Sequence, residues 1–244
     1  DSHEDALLVR EAAAHYGSKY ESITLNLGPE ASEETARHER YAWLRELQDQ
    51  HQADAIITAH HQDDVLETMI INLVRGTGWR GLSSLRSHPT LLRPLLLLSK
   101  AEIIRYALEH AISWREDETN DDVRYLRNYI RQLLIPRLTP PQRRGLIDLY
   151  KSQVNITAQI DDEVGRVATL CIKEGVISRY MLAMIAPEVA HEIIAYWCEC
   201  RLEQRTAERI RHFILTAKPH KQLRDGAMNF RATAQGAIVS LSDI

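Results

Sequence analysis

Apolar positions in the first half of the chain switch between two periods. Leu7, Leu8, Ala12 and Tyr16 recur at helical spacing and stop at Gly17, which predicts a helix over 4–16. Tyr20–Leu27 alternates instead, with Ile23, Leu25 and Leu27 on one face and Ser22, Thr24 and Asn26 on the other, and Gly28-Pro29 comes next. That pattern predicts a strand. Ser32 is placed to cap a helix from Glu33 to about Gln50, carrying Ala36, Tyr41, Leu44 and Leu47. Residues 55–59 are short, partly β-branched and bounded by polar residues, the signature of a buried strand. From Val65 to Val74 the helical period returns, predicting a helix over 62–75. Strand, helix, strand and helix in this order predict an α/β fold, an open parallel sheet with flanking helices.

Further along, Gly76–His88 reads as a loop and Leu91–Leu96 as a short extended run, since Arg93 precedes a proline. Ser99 with Glu102 forms a capping box for a helix to about His110. Residues 114–122 are charged and turn-rich, and Leu126–Leu138 reads as a helix. Thr139-Pro140-Pro141 is the predicted boundary between a domain of residues 1–138 and a smaller, mainly helical one of 142–244. The second carries helical stretches at 142–172, 188–203 and 206–217. Its tail has strand-like pieces at Met228–Thr233 and Ala237–Leu241, with Asp225-Gly226 and Gln235-Gly236 as turn signals, which predicts a closing β-hairpin.

Composition adds limits. Charged residues are 26% and hydrophobic ones 44%, an ordinary globular balance, and no apolar run approaches the ~20 residues of a membrane helix. The first residues, Asp1-Ser2-His3-Glu4-Asp5, have no basic and apolar signal pattern, so a cytoplasmic protein without membrane association is expected. There is no initiator Met, and the natural chain is expected to begin earlier. Cys171, Cys198 and Cys200 supply neither a disulfide framework nor a four-ligand zinc site. The formal charge of −4 conceals a segregation: residues 1–50 hold eleven acids against five Lys or Arg, residues 124–151 seven Lys or Arg against one acid, and residues 201–231 eight against three. Basic blocks late in the chain suit a polyanionic partner, and equally a solvated helix surface.

The densest chemistry is His60-His61-Gln62-Asp63-Asp64-Val65-Leu66-Glu67, where a predicted strand gives way to a helix. Ligands of open α/β sheets bind at such carboxyl ends. Helical spacing lets His60, Asp64 and Glu67 share a face, with Asp63 one step round. Acids in a first helical turn also complement its dipole, which would account for Asp63 but not for the whole cluster. Glu33, Arg37 and Arg40 share another face. Arg127 and Arg131, four apart near a helix start, could clamp phosphate, with Asp117 and Asp122 as alternative counter-ions. Arg75-Gly76-Thr77-Gly78 lacks the spacing of a Walker loop, and Gly76 could equally end the preceding helix.

Five segments in this order resemble the tRNA(Ile)-lysidine synthetases of the PP-loop ATP-pyrophosphatase superfamily: Glu33-x-x-Ala36-Arg37-x-x-Arg40-Tyr41; His60-His61-x-Asp63-Asp64-x-x-Glu67-Thr68; Arg75-Gly76-Thr77-Gly78; Arg93-Pro94-Leu95-Leu96; and Trp114-Arg115-Glu116-Asp117-x-Thr119-Asn120 leading to Tyr125-x-Arg127-Asn128-x-x-Arg131. The resemblance runs to about Leu138. It implies a PP-loop, adenine-nucleotide-hydrolase-like fold and ATP-dependent ligation of free lysine to C2 of the wobble cytidine of tRNA(Ile) with anticodon CAU, through an adenylated intermediate. It further implies His60, Asp63, Asp64 and Glu67 as catalytic residues, with Asp63 and Asp64 the candidates for Mg²⁺. Arg37, Arg40, Arg75, Gly76, Thr77, Gly78, Arg127, Asn128 and Arg131 would bind ATP, phosphate or tRNA. The 142–244 domain would contact tRNA, and a homodimer is a further expectation. The family's Ser-Gly-Gly-x-Asp-Ser cradle for ATP does not occur in this sequence. Competing expectations are a PP-loop tRNA thiolase, a metal-dependent phosphohydrolase using His60, His61, Asp63 and Asp64, and a non-catalytic tRNA-binding protein.

Overall fold

The structure, a computed structural model, describes residues 2–28, 33–115 and 126–241. Contacts divide the chain into two compact units, Asp1–Val154 and Asn155–Ile244. Pro140-Pro141 opens a long helix, Pro140–Cys171 (α6 below), matching the helical stretch expected over 142–172. Proline at a first helical position costs nothing, because its missing N–H would be unbonded there anyway.

The first unit begins with α1 (Ser2–His15) and α2 (Glu33–His51). The strand expected over 20–27 does not form: residues 18–28 have no ladder, and Ile23 is exposed. Alternation gives a segment a two-faced character but not a partner, and no neighbouring strand takes up its N–H and C=O groups among the described residues. β1 (Ile56–Ile57) pairs in parallel with β2 (Leu91–Leu92), Ile56 opposite Leu91 and Ile57 opposite Leu92. Between them lies α3 (Gln62–Val74), the helix expected over 62–75, so the crossover is completed by the run that reads as merely extended at Leu91–Leu96 rather than by the strand expected over 20–27. A single 3₁₀ turn at Trp79–Ser83 comes after α3, and α4 (Lys100–Glu109) comes after β2. The capping box of α4 is present: Ser99 Oγ accepts from Glu102 N–H at 3.2 Å, and Glu102 Oε2 accepts from Ser99 N–H at 2.8 Å.

The expected helix over 126–138 is real but irregular. α5 (Leu126–Tyr129) widens into a π-helical turn at Ile130–Leu134 and tightens into a 3₁₀ turn at Ile135–Arg137. The core of this unit is built on α3, whose Val65, Leu66, Met69 and Ile71 pack with Leu85, Leu96, Ile130, Ile135, Ile147 and Tyr150.

In the second unit, β3 (Ile172–Lys173), β4 (Val176–Ser178), β5 (Gln222–Asp225), β6 (Met228–Ala232) and β7 (Gly236–Leu241) form an antiparallel sheet ordered β3-β4-β7-β6-β5. The expected closing hairpin is its β6–β7 pair. The β3–β4 hairpin is an addition: Glu174 and Gly175 both have positive φ, as a two-residue type I′ loop requires. Helices α7 (Arg179–Met184), α8 (Pro187–Trp197) and α9 (Gln204–Thr216) supply Leu182, Ile193, Ile194, Ile210 and Ile214, which pack with Ile177, Phe230 and Ala237 of the sheet. Among the described residues no helix is long and apolar enough to cross a membrane.

Candidate active site

His60 lies in the short connection between β1 and α3. That connection is fixed at both ends to the chain after β2: Thr58 N–H donates to Leu92 O at 2.9 Å, and Gln62 N–H to Leu98 O at 2.9 Å. His60 is half-buried, and its Nδ1 shares a 2.8 Å hydrogen bond with the Thr58 hydroxyl. Burial pushes the imidazole below its ordinary value, Asp64 opposes this, and Arg93, Arg37 and Arg40 reinforce it. A neutral ring beside three guanidinium groups is suited to accept a proton rather than to supply positive charge.

His61 does different work. It is the N-cap of α3, where its Nδ1 accepts from Asp63 N–H at 3.2 Å and its own N–H donates to Asp64 Oδ2 at 2.8 Å. The 3.5 Å approach of that nitrogen to Asp64 is therefore not a charged pair, because a ring nitrogen that accepts a hydrogen bond carries no proton. The adjacent histidines thus divide into a helix cap and a base candidate.

Three carboxylates on the first turns of α3 each meet an arginine from elsewhere. Glu67 is 1% exposed and receives a two-pronged pair from Arg131, Nε to Oε1 at 2.6 Å and Nη2 to Oε2 at 2.9 Å. The same Nη2 reaches Asp64 Oδ1 at 3.4 Å. Asp63 pairs with Arg143 from the first turn of α6. Burial raises the Glu67 carboxyl above its ordinary value, and the Arg131 fork pulls it part of the way back. Arg131 sits in the π-helical turn, a deviation that often accompanies functional positions. Two of its donors are thereby committed to carboxylates of α3; spacing alone points to Asp117 and Asp122 as counter-ions. Those two residues lie outside the described ones, as does the rest of 116–125.

Arg127 is half-buried and adds its charge to the surroundings of Glu67, and Asn128, beside it in α5, is also half-buried. On α2, Arg37 lies over the Tyr41 ring at 5.2 Å from its centroid, while Arg40 is exposed. Glu33's side chain lies outside the described residues. Arg75-Gly76-Thr77-Gly78 ends α3: Gly76 has φ +66°, its N–H donates to Leu73 O at 3.1 Å, and Thr77 N–H donates to Asn72 O at 3.0 Å. This is a Schellman motif, so two backbone donors that could have faced a phosphate instead close the helix. Asp63 and Asp64 do not suit a protein-held metal as arranged, each being paired with a guanidinium. Among the described residues no three His, Cys, Asp or Glu side chains converge.

Two participants escape sequence reasoning. Arg143 lies 80 residues from Asp63, a pairing with no local signature. Arg93 belongs to the Arg93-Pro94-Leu95-Leu96 segment of the resemblance, which assigns it no role, yet it is 6% exposed and its charge reaches both His60 and Tyr150. A buried arginine at a strand's carboxyl end would have been the signal, but burial cannot be read from one residue.

The PP-loop domain description matches residues 1–138. Curated relatives named tRNA(Ile)-lysidine synthase include one from Bacteroides thetaiotaomicron, 34% identical over 174 residues that cover 67% of this chain and 41% of the relative. Another, from Chlorobaculum tepidum, is 38% identical over 139 residues, 54% of this chain and 42% of the relative. A third, from Burkholderia pseudomallei, is 30% identical over 203 residues, 77% of this chain and 41% of the relative. The chain spans about two fifths of the length of these relatives. With the crossover, the strand-end cluster and the matched residues in agreement, the chain belongs to the PP-loop domain family.

Proposed function

We propose that this chain carries the reacting centre of an ATP-dependent ligase that joins lysine to the wobble cytidine of tRNA(Ile), a reading supported by relatives named tRNA(Ile)-lysidine synthase. The C2 oxygen of cytidine attacks the α-phosphorus of ATP, and pyrophosphate leaves. The ε-amine of lysine then bonds to C2, AMP departs with the oxygen, and the amine loses its extra protons. The observation that carries this reading is His60, half-buried in the β1–α3 connection and bonded to the Thr58 hydroxyl, just ahead of the α3 carboxylates that Arg131 gathers. Burial and the charges of Arg93, Arg37 and Arg40 favour its neutral form. A neutral imidazole can take the amine's proton, and Arg37 and Arg40 can face phosphate. Asp64 and Glu67, acidic and partly or fully withdrawn from water, can orient an ammonium group once Arg131 shares them. Mg²⁺ enters this reading on the ATP phosphates, with no step assigned to it. In the second unit, Arg205, Arg211, Lys218, Lys221 and Arg224 around α9 and β5 are the proposed tRNA contacts.

The test is ATP-dependent incorporation of labelled lysine into tRNA(Ile) transcripts by the full-length protein and its Asp64→Asn and His60→Gln variants. Each is expected to lose at least about 100-fold, the size of a general acid–base contribution. Full activity in both variants would overturn the assignment.

A further inference from the structure

We propose that Arg93 is a positioning residue for His60, setting the electrostatic surroundings of the imidazole from beneath the strand ends rather than touching substrate. The geometry starts from the two backbone ties, Thr58 to Leu92 and Gln62 to Leu98, which lay residues 58–62 alongside residues 92–98. Arg93 opens that second stretch. Pro94 keeps Arg93 extended, the Arg93 N–H donates to Ser87 Oγ at 2.8 Å, and Arg93 Nη1 donates to Arg86 O.

The guanidinium is 94% buried, yet Nε has no hydrogen-bond partner and no ion pair involves Arg93 among the described residues. Buried cations are ordinarily matched by an anion, because an unmatched charge loses its hydration without return. Here the one acidic group acting on His60 is Asp64, and it is shared with Arg131. The charge of Arg93 acts on His60, across the tied 58–62 and 92–98 stretches, and on the Tyr150 phenol. The groups acting on His60 are Asp64 from α3, Arg37 and Arg40 from α2, and Arg93 beyond β2, with the Thr58 hydroxyl at Nδ1. Arg40 is exposed and screened by water, whereas Arg93 is dry. Arg93 is therefore the fixed part of this field. The inference rests on the proposed role of His60 only for its functional meaning, since the arrangement itself is independent of substrate.

The experiment tracks the His60 ring by NMR titration in the full-length protein, with the signal assigned through His60→Gln. Arg93→Gln removes the charge and keeps a polar side chain, and Arg93→Lys retains the charge. The Gln variant is expected to raise the His60 midpoint by about half a pH unit or more, as befits one charge removed from partly solvated protein. The Lys variant is expected to keep it within about 0.2 unit. A merely structural Arg93 would lower the melting temperature of the Gln variant without moving the midpoint, and that result overturns the proposal. If Arg93→Gln does not fold, Arg93→Met, apolar and suited to a dry site, takes its place: an upward midpoint supports the proposal and an unmoved one refutes it. Lysine incorporation against pH, measured in parallel, separates failure of this inference from failure of the ligase reading. A shifted midpoint with an unchanged rate profile would retain the inference and remove His60 as the base.

Discussion

Replacing Arg131 by Met should unlock α3. Glu67 is 2% exposed at its side chain and receives hydrogen bonds from Arg131 on both oxygens, so truncation leaves a buried carboxylate without that pair and with only the charge of Arg127 nearby among the described residues. Breaking a buried pair from one side costs about 3–5 kcal/mol. Arg131 is itself 36% exposed, so water entering behind the vacated side chain recovers part of this and about 3 kcal/mol is the working value. In native-state hydrogen exchange that is roughly a 100-fold faster opening of the α3 amides. Burial already raises the Glu67 carboxyl above 4.5, so the folded chain holds this proton more tightly than the unfolded one. Its contribution is complete below that pH and is lost as pH rises through the raised value. Without Arg131 the carboxyl rises further, so the penalty should shrink between pH 8 and pH 5 once intrinsic exchange is corrected. Glu67→Gln with Arg131→Met should cost less than the two single changes summed. Additive costs, or a penalty independent of pH, would show that the Arg131 fork does not hold α3.

Two further outcomes can be checked directly. Gly236→Ala should unfold the second unit, since an added Cβ would lie 1.7 Å from Ile177 O in the β4–β7 ladder, and Trp197 fluorescence would report the loss. His60→Gln should flatten the acid side of the stability profile. The depressed imidazole contributes stability above its ordinary value of 6.5 that is lost as pH falls through the folded one, so urea midpoints of wild type should fall over that window while the variant's do not.

Local features were legible in the sequence. The crossover, the α4 capping box, the Gly76 terminator and the concentration of His60, Asp63, Asp64 and Glu67 all arise from spacing within a few residues. The pairings that decide how the site behaves join residues 64 to 80 apart, Glu67 with Arg131 and Asp63 with Arg143, and no periodicity announces them. Alternation at Tyr20–Leu27 misleads because a strand exists only where another backbone meets it. The β3–β4 hairpin escapes for a related reason: Glu174-Gly175 lacks the usual Asn or Asp before glycine, and the apolar run around it continues the helical pattern of α6.

The widened turn at Ile130–Leu134 has a consequence for how the arginines beside it can change. A π-helical turn is an extra residue absorbed into a helix without breaking it, and it rotates the downstream residues relative to the upstream ones. Arg127, before the turn, and Arg131, within it, are therefore related by a different rotation from the one that four-residue spacing gives in a regular helix. Arg131 braces α3 through direct bonds to Glu67 and Asp64, and Arg127 adds its charge around the same Glu67, so a change at either position is felt by that one buried carboxyl.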